Sequence, residues 1–293
     1  MHVVHGSAPP IHLLERLTRA LTYRELLLNL VRKELRVRYK DSVLGFTWSM
    51  LNPILYLAVF YVVFNVFLTG GIPYFPVFML SGLLPWTLFA TSLSTGAGSV
   101  VANGPLLKKV SFPREVLPLA SVGGGLFHFF LQMLVLFAFL LVFRYPFVSE
   151  FLVLVPVAIF VEILLVAAFA ILLSALTVYL RDIQHFIELA LLAWFWMTPI
   201  IYPVALVADK LNPRGWFGFY LINPITPIIM SFQRAFYNRI SPRNESGVTR
   251  VLLDLPMSWY LQRLAYVAVF ALVLLVVAQL VFARLEGNFA EEL

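Results

Sequence analysis

The sequence predicts an all-α membrane protein of six transmembrane helices preceded by an amphipathic interface helix, and three observations predict it. The chain of 293 residues is 61% hydrophobic and only 12% charged, with a mean hydropathy of +0.90, whereas soluble proteins carry about 25% charged residues. Its apolar residues fall into six runs, each near the roughly 20 residues a helix needs to cross about 30 Å of hydrocarbon. Its cations are sorted: Arg32, Lys33, Arg36, Arg38 and Lys40 precede the first run, and no Lys or Arg follows until Lys108. Cations beside a membrane entrance favour the cytoplasmic face. Attraction to anionic lipid therefore accounts for the net charge of +6 without nucleic acid as a partner.

Residues 1–45 read as a cytoplasmic N-terminal region. Met1–His12 is a short leader without the apolar core of a cleavable signal peptide. Leu26, Leu27, Leu30, Val31 and Leu35 then recur at helical spacing, with Arg24, Arg32, Lys33 and Arg36 on other faces. That pattern describes a helix lying along the membrane surface, and it also suits a helix packed on a partner. In the sharper reading Arg32, Lys33, Arg36, Arg38 and Lys40 collect an anionic lipid headgroup. Gly45 permits the bend into the membrane, and Trp48 suits the headgroup level.

The transmembrane region, 46–283, places its spans near Phe46–Leu68, Phe75–Gly98, Val116–Phe143, Phe151–Leu180, Phe186–Ile201 and Trp259–Phe282. The fifth is short and bounded by Pro199 and Pro203, each without a backbone donor, so its far end is expected to be broken. Lys108, Lys109, Arg114, Arg181 and Arg284 all fall in short loops or ends on one side, with only Arg144 in the short loops opposite. Both termini, including the tail 284–293, are therefore expected in the cytoplasm.

Two loops carry more than connection requires. In 103–114, Asn103 can cap a helix, Pro105 suits its first turn and Pro113 ends it. The short helix so formed displays Leu106, Leu107, Val110 and Phe112 beside Lys108 and Lys109. It would either anchor in lipid or plug into another protein. In 202–258, a second short helix carries Ile228, Ile229, Phe232 and Phe236 on one face, and Asn238–Gly247 is polar.

Polar residues inside the spans are few. His128 and Gln132 lie one turn apart in the third span, and Glu162 lies in the fourth at the depth of Gln132. A structural Gln132–Glu162 hydrogen bond is the preferred reading, with a proton relay as the alternative. Tyr56, Phe60, Phe64 and Phe67 form a stripe along the first span, and Trp194, Phe195 and Trp196 cluster in the fifth. Such rings are either packing or a surface on which sugar rings slide. No catalytic constellation and no metal site emerge. The chain has no cysteine, its five histidines lack ligand spacing, and Asp182 and Glu188 read as helix-end charges. No phosphate-cradling loop is present, so the chain itself carries no cofactor.

Arg38-Tyr39-Lys40, Ser42, Leu44-Gly45, Trp48 and Leu51-Asn52-Pro53 resemble the membrane-entrance signature of permease subunits of type-two ABC exporters. Leu106-Leu107-Lys108-Lys109-Val110 followed by Phe112-Pro113-Arg114-Glu115 is similar to the coupling loop of those that export O-antigen, teichoic acid and related lipid-linked polysaccharides. The broken fifth span, the short helices within 202–258 and the tail Glu286–Leu293 extend the resemblance. Asp41 departs from it, interrupting the basic run where relatives often carry another cation.

The resemblance implies a homodimer working with two copies of a separate ATPase that binds ATP and magnesium. Leu106, Leu107, Lys108, Lys109, Val110 and Phe112 would form the coupling helix, and 202–258 would hold outer gate helices. Tyr56, Phe60, Phe64, Phe67, Trp194 and Trp196 would line the glycan path. The basic interface residues would receive the lipid pyrophosphate. Rival readings are an ABC exporter of another lipid-linked or amphipathic substrate, a proton-driven carrier using Glu162 and His128, and a membrane glycosyltransferase using Asp182 and Glu188.

Overall fold

A chain in hydrocarbon must satisfy its backbone groups internally, which long helices do, and the computed structural model is built of them. It describes residues 23–67, 72–110, 112–146, 149–241, 243–244, 247–248 and 250–292. The leader Met1–His12, Leu68 at the end of the first expected span and Ser111 lie outside these residues.

Helix α1 runs Arg24–Tyr39. Beyond it Asp41 (φ 58) and Gly45 (φ 49) take the left-handed conformation, and the Gly45 amide donates to Ser42 Oγ at 3.0 Å. This turn redirects the chain into α2, Thr47–Tyr61, which continues as a π-helical turn over Val62–Phe67. The long helices α3 (Phe75–Ala102), α5 (Val116–Val142), α6 (Leu154–Tyr179) and α11 (Met257–Leu285) follow in order. Between them lie α4 (Gly104–Leu107), α7 (Ile183–Trp196), α8 (Val204–Leu211), α9 (Phe217–Tyr220) and α10 (Ile225–Phe236), with α12 (Phe289–Glu292) after them. A two-residue antiparallel ladder pairs β1 (Arg243–Asn244) with β2 (Gly247–Val248).

Among the described residues, five helices are long and apolar enough to cross a membrane. The remaining expected span, the fifth, is α7, whose 14 residues reach only about 21 Å. The backbone unwinds after it across Met197–Pro203, where Pro199 and Pro203 supply no donors.

Helix α3 is the axle, buried along most of its length and packed against α5, α6 and α10. Helix α11 lies along α6. Helix α2 stands apart, burying only Pro53 and Leu57. The apolar side of α1 does not rest in lipid as the surface-helix expectation had it. Leu30 is buried, and Leu26, Leu27 and Val31 pack with it on the cluster formed by Val100, Val116 and Leu117. Gly123 of α5 makes this possible, since a Cβ there would meet a Val31 methyl at 2.7 Å.

Helix α10 is the short helix expected to carry Ile228, Ile229, Phe232 and Phe236. All of its residues are buried. Its start is held by Asn223, whose Oδ1 accepts from Trp194 Nε1 at 2.8 Å and whose Nδ2 donates to Thr198 Oγ1 at 3.1 Å. Gln233 Nε2 donates to Pro199 O at 2.9 Å, capturing a carbonyl of the unwound segment.

Candidate functional site

Three adjoining cavities run along one side of α3. The first, about 640 Å³, lies among α1, α3 and α5 and is lined by Lys33, Glu34, Arg38 and Gln184. It shares Arg38, Thr91, Gly125 and His128 with a second of about 410 Å³. The second shares Asn52, Thr87, Thr91 and Gln132 with a third of about 460 Å³, which ends on Tyr56, Phe60, Phe195 and Trp196. Thr91 borders all three, so they form one groove with a common waist.

Helical spacing builds each wall. Thr87, Thr91 and Thr95 stand one turn apart on α3. Their hydroxyls donate back to the preceding turn, Thr87 to Leu84 O at 2.8 Å, Thr91 to Thr87 O, and Thr95 to Thr91 O at 2.7 Å. Their oxygens keep lone pairs free to accept from a ligand hydroxyl. On α7, Glu188, Leu191, Leu192 and Phe195 follow the same periodicity into the third cavity. His128 of α5 joins the elements at the waist: its Nδ1 lies 3.0 Å from Tyr39 Oη and 2.9 Å from Ser49 Oγ, tying the end of α1 to the first turn of α2.

The expected anion-binding cations divide. Lys33 and Arg38 line the first cavity, and Lys33 Nζ also donates to Asn103 Oδ1 at 2.7 Å. Arg32 and Arg36, one turn apart, share an exposed face away from it, and Lys40 lies past the helix end. Glu34 is an acid that sequence reasoning passed over among so many cations. Its carboxylate accepts from Ser121 Oγ at 2.9 Å. Burial pushes its pKa up, against the downward pull of the Ser121 hydrogen bond, Arg38 and Lys33.

The expected glycan-path rings also divide. Tyr56, Phe60 and Trp196 meet in the third cavity. Phe64 instead stacks on Phe75 at 6.1 Å, and Phe67 stands exposed at the end of the π-helical turn. Trp194 faces the bundle, against Phe89 at 5.0 Å and Phe169 at 6.2 Å. Successive helix residues point about 100° apart, so Trp194, Phe195 and Trp196 cannot share a face. Phe195 and Trp86 complete the lining, and the α7 periodicity from Glu188 was the signal for Phe195.

The Gln132–Glu162 pair does not form. Gln132 Oε1 lies 2.7 Å from Thr87 Oγ1, while Glu162 is fully buried with both oxygens unpartnered among the described residues. Helix α3 packs against both α5 and α6, and the amide of α5 finds its partner in an α3 hydroxyl. No relay links Glu162 to His128 either, whose hydrogen bonds go to Tyr39 and Ser49. Glu162→Leu should therefore raise stability, by about 1–3 kcal/mol for removing an unsatisfied buried group, with export retained. Thermal unfolding in detergent checks this, and a lowered melting temperature would show that the carboxyl has a partner.

The loop after α3 is more compact than expected. Its helix is only Gly104–Leu107, and Asn103 does not cap it through its side chain, which turns back to donate to Ser99 O at 2.8 Å. Leu106, Leu107 and Phe112 are half-buried on the chain's own cluster. Lys108, Lys109 and Val110 are left exposed as its outward surface. Asp182 is exposed and lines none of the three cavities, so it shares no site with Glu188.

Comparison with known proteins agrees with this architecture. Residues 25–237 match the model of the family described as ABC-2 type transporter. The chain is 35% identical over 246 residues to an O-antigen export system permease protein, RfbA, of Myxococcus xanthus, covering 83% of this chain and 93% of that one. A protein of the same description from Klebsiella pneumoniae is 32% identical over 216 residues, 74% and 82% of the two chains. The polysialic acid transport protein KpsM of Escherichia coli is 29% identical over 92 residues, 31% and 34% of the two chains. With five described helices long and apolar enough to cross a membrane, a shorter apolar one that ends in an unwound segment, and a family match over most of its length, the chain belongs to the ABC-2 type transporter family, as a multi-pass permease subunit whose ATPase is a separate protein.

Proposed function

We propose that this permease exports a polysaccharide carried on a polyprenyl pyrophosphate across the bacterial inner membrane. The observation that carries the reading is the groove, cationic at one end, hydroxyl-lined at its waist and aromatic at the other. A pyrophosphate suits Lys33 and Arg38, since guanidinium and ammonium groups form charge-assisted hydrogen bonds to phosphate oxygens. Sugar hydroxyls suit Thr87, Thr91 and Thr95, and the apolar faces of sugar rings suit Tyr56, Phe60, Phe195 and Trp196. The names of the relatives, O-antigen and polysialic acid exporters, support a polysaccharide cargo.

The cationic end is cytoplasmic in this scheme, with both termini there, because Lys108, Lys109, Arg114, Arg181 and Arg284 gather at it. The exposed Lys108-Lys109-Val110 surface docks on the ATPase, which binds ATP and magnesium, and α10 with the unwound segment before it gates the far end. Two permeases act with two ATPases. Support for the second copy is the uncovered apolar surface of α2 and α7, including Val59, Phe186, Leu189 and Leu192.

The test is Lys33→Gln with Arg38→Gln in the complex reconstituted with its ATPase. The substrate concentration giving half-maximal export should rise about tenfold or more, from the loss of two charge-assisted contacts, while basal ATP hydrolysis stays unchanged. Unchanged half-maximal concentration would remove these residues from substrate binding.

A further inference from the structure

We propose that the segment following α11 is a strut that carries movement of the ATPase-docking loop into α6 and α11, with Arg114 and Phe289 as its positioning residues. The proposal rests on the reading that the 103–114 loop docks the ATPase. Loop movement reaches α3 and α5 directly, because the loop joins them. It has no such covalent route to α11, which packs along α6.

The connection is made by side chains. Arg114, the loop's last residue, donates through Nη1 to the carbonyl of Glu286, just past the end of α11. Its guanidinium also lies 5.6 Å from the centroid of the Phe289 ring. Phe289 is fully buried, with its ring 5.4 Å from Phe282 of α11 and 6.2 Å from Tyr179 of α6. Tyr179 Oη in turn donates to Leu285 O at 2.9 Å, closing α6 onto the end of α11. Leu106, Leu107 and Phe112 of the loop pack on the same apolar cluster that contains Phe289 and Phe282.

The arrangement is more than a filled gap. A planar cation gripping a backbone carbonyl while stacked on a ring is fixed in position and in orientation. A displacement of Arg114 must therefore be shared by Phe289 and, through it, by the ends of α6 and α11. Interior packing transmits such displacements because it is dense and barely compressible.

The decisive variants are Phe289→Leu and Arg114→Gln, each studied in the reconstituted complex with export and ATP hydrolysis measured together. Leucine keeps an apolar filling but offers the guanidinium no ring face, and glutamine removes the cation. Both variants should copurify with the ATPase and hydrolyse ATP normally. Glycan exported per ATP should fall by between about two- and thirtyfold. Because both lesions break one link, the double variant should fall no further than the worse single one.

An unchanged export-to-hydrolysis ratio in both single variants overturns the strut and leaves the docking reading intact. Loss of copurification in either also overturns it, by making the residue part of the docking surface. If charge reversal at Lys108 and Lys109 with Val110→Asp leaves the ATPase bound, the docking reading fails and takes the strut with it. That outcome is distinct from failure of the strut alone.

Discussion

Thr91→Trp should abolish export of long glycan while the ATPase remains bound and active. Thr91 is the one residue bordering all three cavities, at the point where the groove passes from its cationic part to its aromatic part. An indole there would occupy the space that a moving sugar chain needs. Thr91 is half-buried on the groove side of α3, so the larger ring projects into open volume and the core against α6 is left undisturbed. Thr91→Val is the control, since it keeps the shape and removes only the hydroxyl. It should retain most export. Protein level, ATP hydrolysis and glycan export measured side by side decide the matter. A stable tryptophan variant exporting at the parent rate would place the path elsewhere.

Combining Lys108→Glu, Lys109→Glu and Val110→Asp should remove the ATPase altogether. These three side chains are the outward surface of the loop, whereas Leu106, Leu107 and Phe112 are committed to the permease's own cluster. Aspartates at the two leucines would therefore test folding, while the outward triplet tests docking. A carboxylate driven into an apolar groove costs several kcal/mol unless it finds a partner, and reversal of two cations inverts whatever charge complementarity the docked surface has. Copurification and export should both fall to background with the permease still folded. Retained copurification with normal export would show that the loop only anchors in lipid.

What could be read from the sequence was height along the membrane normal. What could not be read was direction around each helix. Hydropathy placed the long spans, and the two prolines bounding the fifth marked where α7 gives way to an unwound segment. Gly45 was legible because a left-handed turn is a local property of one residue. Gln132 and Glu162 were read at similar depth, yet the direction each takes around its helix decides its partners: Gln132 reaches Thr87 of α3, and Glu162 finds no partner among the described residues. Trp194, beside Phe195 in sequence, was unassignable for the same reason. Asn103 reads locally as a cap, and its amide was drawn instead to Ser99 O and to Lys33, seventy residues away. In α10 the apolar face of Ile228, Ile229, Phe232 and Phe236 was legible, but the burial of Gln233 and Arg234 was not. Their partners, Pro199 O and the Phe151 ring at 4.2 Å from the guanidinium, come from distant parts of the chain.

The groove's three linings give it a grip that changes in kind along α3. On the proposed path, contact at the end lined by Lys33 and Arg38 would be ionic and tied to one place, admitting only a cargo that bears the matching charge. Past Thr91 the contacts become hydroxyls and ring faces repeated at helical intervals, which hold any one sugar weakly and the next one equally well. Passage through a pore requires binding strong enough to admit and weak enough to release, and here the two demands are met by different residues. On that path selection would be made once, at the charged group, and the polymer behind it would travel on a surface indifferent to its register. A permease built this way is selective about the handle of its cargo and permissive about the length of the chain that follows.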